Sequence, residues 1–150
     1  MTQKQRWSKL STLQLGHYAE YCVKMEFTLY GFDVYSAEVD DKGIDFVIRK
    51  HERQYYDVQV KSARELSYIF FPKEKFAPSK NLLAAIVLFT DDEPPALYLV
   101  PSAVWLEPNA LFVSRDYVGK KSKPEWGLNL SKRNLALLAP YAFEDVVKTL

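Results

Sequence analysis

An α/β fold built on a mixed β-sheet is predicted by three features of the chain: an amphipathic helical stretch near the start, three short strands joined by tight turns behind it, and a near-continuous apolar run that follows a long crossover. The turns between the first three strands are short enough for antiparallel pairing. The segment after Ser62 is long enough to bring the chain back parallel to the strand it left.

In the helical stretch, residues 12–30, apolar side chains recur at Leu15, Tyr18, Ala19, Cys22, Met25 and Leu29. Ser11 or Thr12 can cap this helix, and Gly31 ends it by tolerating the left-handed conformation that many helix stops need. Residues 32–37 read as the first strand, and Asp40-Asp41-Lys42-Gly43 as a turn. Residues 44–49 form the second strand, 51–54 a hairpin turn, and 55–62 a third strand with strict alternation. Residues 68–71 read as a short strand, with a helical turn at 73–76. The run 82–89 has the composition of a strand covered on both faces. A turn at 91–95 leads into a strand at 96–100 and a short helix at 101–105. Residues 108–124 are loop-like with one strand at 111–114, residues 126–130 another strand, and 141–150 a closing helix. No repeat, low-complexity tract or linker interrupts residues 1–150, so one domain is expected.

The balance of 48% hydrophobic and 26% charged residues is that of a globular chain and argues against disorder. A net charge of only +1 gives no whole-molecule pull toward nucleic acid. Phosphate binding would have to come from local clusters: Lys4, Arg6 and Lys9; Lys73, Lys75 and Lys80; or Lys120, Lys121 and Lys123. Cys22 stands alone, which excludes an internal disulfide or a thiolate zinc site and fits a reducing cytoplasm. The opening residues are polar and basic, with no secretory signal, and residues 82–89 are too few to span a bilayer. A cytoplasmic protein with no membrane role is expected.

Four polar residues gather if the topology is right. Asp45 begins the second strand after the Gly43 turn. Gln59 and Lys61 share one face of the third strand through their i, i+2 spacing. Glu20 lies on the helix that must pack against these strands. Two acids and an amide oxygen suit a hard cation such as Mg²⁺, or Mn²⁺ in its place, because such ions take oxygen ligands and keep several waters. An ion held there would activate a water and offset charge on a phosphate, and an adjacent lysine could orient or deprotonate that water.

The stretches Gly16-His17-Tyr18-Ala19-Glu20, Gly43-Ile44-Asp45 and Gln59-Val60-Lys61-Ser62 resemble the three signature blocks of the PD-(D/E)xK nuclease superfamily. With Gly31-Phe32 at the helix exit, the arrangement is similar to archaeal Holliday-junction resolvases, and the glutamine is similar to the QxK form of Mrr-type restriction endonucleases. Later segments, Tyr98-Leu99-Val100-Pro101-Ser102 and Trp126-Gly127-Leu128-Asn129-Leu130, resemble small restriction-endonuclease-like domains. This resemblance implies a restriction-endonuclease-like core and Mg²⁺-dependent hydrolysis of DNA, duplex or branched. It also implies roles: Glu20 as the helical acid, Asp45 as the central metal ligand, Gln59 in place of the usual second strand acid, and Lys61 as the catalytic lysine. Ile44 replaces the proline of the family name. Gln59 brings no negative charge, so weaker metal binding is expected. A non-cleaving module for nucleic-acid or protein binding is the alternative, and RNA an alternative substrate.

Other residues have competing readings. Glu26 falls nearer the apolar helix face than Glu20 and is its rival. Asp57 reads as a solvated residue at the start of its strand, His17 and His51 have no partner spacing for zinc, and His51 belongs to the surface. Ser62 could bind phosphate or close a strand end. Tyr68, Phe70 and Phe71 could stack on bases or pack in the core. Cutting both strands implies a homodimer or a larger complex that supplies targeting, with Trp105, Leu111 and Phe112 offered as contact surface.

Overall fold

The computed structural model describes residues 5–39 and 42–150. Lys4 and the Asp40-Asp41 part of the expected turn therefore lie outside the described residues. The first helix, α1 (Thr12–Leu29), starts with a capping box. Ser11 Oγ accepts from the Gln14 backbone N–H at 3.1 Å, and Gln14 Oε1 accepts from the Ser11 N–H at 2.9 Å. Gly31, at φ +89°, turns the chain out of the helix as expected.

The face that α1 buries is not the expected one. Leu15, Ala19, Val23 and Phe27, one every fourth residue, face the core, while Met25 is 66% and Leu29 78% exposed. The helix carries two apolar stripes, and the sheet takes the one containing Ala19. That side chain is small enough to let the backbones approach, and it is fully buried.

Behind the helix stands a five-stranded mixed sheet in the order β1 (Asp33–Ser36), β2 (Phe46–His51), β3 (Gln54–Ala63), β5 (Leu82–Leu88), β6 (Ala96–Pro101). The first three strands form the antiparallel meander, β5 runs parallel to β3, and β6 returns antiparallel. The α/β class and the crossover after Ser62 are thus as the sequence predicts. Strand β5 is buried from Leu82 to Val87 and feeds two cores. Leu83, Ala85 and Val87 pack with Val58 and the α1 stripe on one face. Ala84 and Ile86 pack with Ala63, Phe71 and Trp105 on the other.

A second sheet, β4 (Tyr68–Pro72), β8 (Glu125–Asn129) and β7 (Phe112–Arg115), covers that other face. The strands themselves were expected, but their separation into a sheet of their own was not. The separation buries Trp105 and Leu111 completely and leaves Phe112 1% exposed. The expectation that these three form a contact surface is therefore corrected: they are core. The closing helix is also corrected. Within 141–150 only Phe143–Val146 (α3) is α-helical, and Val147–Thr149 continues as a 3₁₀ turn; ahead of it α2 (Leu135–Leu138) passes into a 3₁₀ turn at Ala139–Tyr141, where Pro140 cannot donate to a continuing helix.

The N-terminal segment docks on the β5–β6 turn. Asp91 accepts from the backbone N–H and hydroxyl of Ser8, and the Trp7 indole N–H donates to the Glu93 carbonyl at 2.9 Å. The Ser8 hydrogen bonds hold the Asp91 carboxyl below its usual range. A lowered folded-state value means that the contribution is complete above the usual carboxylate range and is lost as pH falls through the lowered value. Acid titration of stability should therefore show a loss in the wild type that is absent in Asp91→Asn. Chemical denaturation at neutral and acid pH measures both.

Candidate functional site

Asp45 sits where the β2–β3 ladder opens, one residue before the first paired position, Phe46 opposite Val58. Its N–H donates to the Val58 carbonyl at 2.9 Å, and its Oδ2 accepts from the Val60 N–H at 2.6 Å. The carboxylate thus occupies the place that a continuing β2 would have filled, which fixes it at the edge of the sheet. Gly43 makes the approach possible. Its φ is +76°, and a Cβ there would meet the Lys75 carbonyl oxygen at 2.9 Å.

Glu20 faces the same place from α1. Its side chain forms an i, i+4 ion pair with Lys24 at 3.0 Å, and Lys24 Nζ also donates to Ser36 Oγ at 2.9 Å. Glu20 and Asp45 line one cleft of about 490 Å³ together with Thr12, Leu13, Gly16, His17 and Val60. The structure therefore brings the helical acid and the strand acid together. Glu26, the rival acid, lines a different depression with Tyr30, Pro95 and Glu144.

Gln59 and Lys61 share a face, as their spacing requires, but it is the face turned toward the second sheet. Their neighbours in register on β5 are Ala84 and Ile86, and Lys61 Nζ stands 5.7 Å from the centroid of the Phe71 ring. Neither residue lines the Glu20–Asp45 cleft. Gln59 is 8% exposed, and its Oε1 is buried without a hydrogen-bond partner. Asp57, on the same face, is half-buried rather than solvated, and burial pushes its carboxyl up.

His17 and Lys24 are the residues that sequence reasoning missed. Both are signalled by helical spacing: His17 lies three residues before Glu20 and Lys24 four residues after it, on neighbouring turns of one face. His51 is exposed, as expected.

The donors suit a hard cation. Asp45 and Glu20 supply carboxylate oxygens. Gln59 holds an amide oxygen whose burial without a partner costs about 1–3 kcal/mol unless something completes it. Among the described residues, no three histidine, cysteine, aspartate or glutamate side chains are grouped to hold a metal. An ion in the cleft would be held by the two carboxylates and completed by water, because the Gln59 amide lies on the other face of β3.

The mixed sheet with its opening helix is a nuclease-like fold. The likeness is to the solved structure of Archaeoglobus fulgidus Hjc, described as a Holliday junction resolvase from an archaeal hyperthermophile. The TM-score is 0.55 and the identity 14%, over 89% of this chain and 95% of that one. At this identity the likeness establishes the fold. No family model matches the chain, and no curated protein matches it. No helix among the described residues is long and apolar enough to cross a membrane.

Proposed function

We propose that this protein is a metal-dependent DNA endonuclease of the PD-(D/E)xK kind, hydrolysing phosphodiester bonds in duplex or branched DNA. The observation that carries this reading is the meeting of Glu20 and Asp45, from separate elements, in one cleft of a fold like that of Hjc. Mg²⁺ or Mn²⁺ would be held by Asp45 and Glu20 with water completing the shell, and when bound would acidify a water and neutralise charge on the scissile phosphate. Asp45 is positioned for this by the Val60 N–H, and Glu20 by Lys24. Lys61, whose ammonium stands over the Phe71 ring, would have to swing toward Asp45 to reach the attacking water or the phosphate. Cutting both strands calls for a homodimer or a larger complex that supplies targeting. The reducing cytoplasm is the compartment that a lone cysteine suits.

A second reading, a nuclease-fold module that binds nucleic acid or protein without cleaving, is favoured by one observation: Gln59 and Lys61 face away from the Glu20–Asp45 cleft. Lys61→Ala separates the two. If Lys61 acts in catalysis, the variant loses Mg²⁺-dependent cleavage of plasmid or four-way-junction DNA by about a hundredfold or more while still binding Mn²⁺. Cleavage equal to wild type removes Lys61 from the site. No cleavage by either protein, with Mn²⁺ absent from both in calorimetry, favours the binding module. An RNA arm in the same assay tests the alternative substrate.

A further inference from the structure

The outer face of the β4–β8–β7 sheet carries a group of side chains that the cleft does not use. Strand alternation sends Ile69 and Phe71 into the core and leaves Tyr68 and Phe70 pointing outward. Phe70 is 49% exposed, and its ring lies within 17° of parallel to that of Tyr68, with centroids 6.5 Å apart.

Tyr68 is fixed on several sides. Its ring lies across Gly127, where a Cβ would come within 2.5 Å of the ring carbons Cε2 and Cζ. Its hydroxyl donates to Glu125, and the Arg115 guanidinium sits 4.3 Å from the ring centroid. Burial and the Glu125 carboxylate push the Tyr68 hydroxyl well up, so it remains a donor. Arg115, itself exposed, stands over the face of this ring, whose other neighbour is Phe70. An exposed ring and an exposed guanidinium are thus both anchored on Tyr68, one through ring contact and one over its face.

The charge around them is complementary to phosphate. The β7–β8 hairpin carries Lys120, Lys121 and Lys123 between Arg115 and Glu125. Lys120 and Lys121 are exposed, while Asp116 on the same loop is neutralised by Lys73 at 2.7 Å. Strand β4 then runs into the Lys73–Lys75 turn, whose Lys75 carbonyl packs against Gly43 on the approach to Asp45. Planar groups beside mobile cations are what sequence-tolerant binding of a single strand requires. Bases inside a duplex are already stacked and cannot reach them.

We propose that this face binds the unpaired bases of a nucleic-acid strand, stacked on Phe70 and on the Arg115 plane, with Lys120 and Lys121 on the phosphates. This goes beyond the cleavage reading and does not depend on it, since stacking needs no metal. The test is fluorescence anisotropy of labelled oligothymidylate in EDTA, beside a blunt duplex of equal length and an oligouridylate. The wild type should bind the single strands more tightly than the duplex. Phe70→Ala should weaken single-strand binding about tenfold, and Arg115→Lys should weaken it although the charge is kept. Both residues lie outside the core, and unchanged melting temperatures would show that the variants are folded. Binding of either oligothymidylate or oligouridylate supports the site and tells which strand type it prefers. No single-strand binding by the wild type, or affinities unchanged in both variants, overturns it. Asp45→Ala should leave this binding intact, so a failure here and a failure of the cleavage reading can be told apart.

Discussion

Asp45→Ala should abolish Mg²⁺-dependent cleavage, with a loss of about a hundredfold or more. The carboxylate both borders the Glu20 cleft and holds the opening of the β2–β3 ladder. Its removal also strips the Val60 N–H of an acceptor, at a cost of about 1–3 kcal/mol if that group is left dry. Asp45→Asn separates the two effects, because an amide oxygen can still accept from Val60 while the negative charge is gone. The account expects Asn to preserve stability and still lose cleavage. Plasmid nicking and thermal melting, run on both variants, give the answer; nicking at the wild-type rate by Asp45→Asn would count against the assignment.

Trp105→Ala is expected to have the largest effect on stability, about 3–5 kcal/mol. The indole is fully buried, donates from Nε1 to the Gly127 carbonyl at 2.8 Å, and meets the rings of Phe71, Phe76 and Phe112 at 5.2 to 5.5 Å between centroids. It joins the second sheet to the first, so its loss opens a cavity and removes a buried hydrogen bond at the same point. Against the 5–15 kcal/mol that typical domains possess, the variant would be marginal. Leu106→Ala, next in the chain but 62% exposed, should change stability by about 0.5 kcal/mol or less. Urea midpoints of the two variants test the contrast.

Local pattern made much of this legible in the sequence. The Ser11 cap, the Gly31 stop, the antiparallel meander and the doubly covered β5 are each written in a few adjacent residues, and each stands in the structure. The side chosen by α1 was not legible, because Leu15 and Ala19 belong to both apolar stripes and only the sheet decides between them. Nor was the second sheet, since pairing of β4 with β8 joins Tyr68 to Asn129 across a long stretch of chain that no local signal links. The same gap misplaced Trp105, Leu111 and Phe112. At the candidate site, Glu20 was set beside Asp45 by the packing of the helix on the strands and by the signature-block resemblance, whereas helix periodicity placed Glu26 nearer the apolar face. Which face of the sheet Gln59 and Lys61 would share with the helical acid depended on the packing of both layers, and alternation alone could not supply it. His17 was read only as a zinc ligand without a partner, although its spacing from Glu20 already placed it on the cleft side of α1.

Asp45 and Glu20, meeting in one cleft, are proposed to hold a divalent cation. Calorimetric titration of Mn²⁺ into the wild type and Asp45→Asn addresses it most directly. Saturable binding to the wild type that the variant loses is the expected result. No binding to the wild type, or equal binding to both, would contradict it.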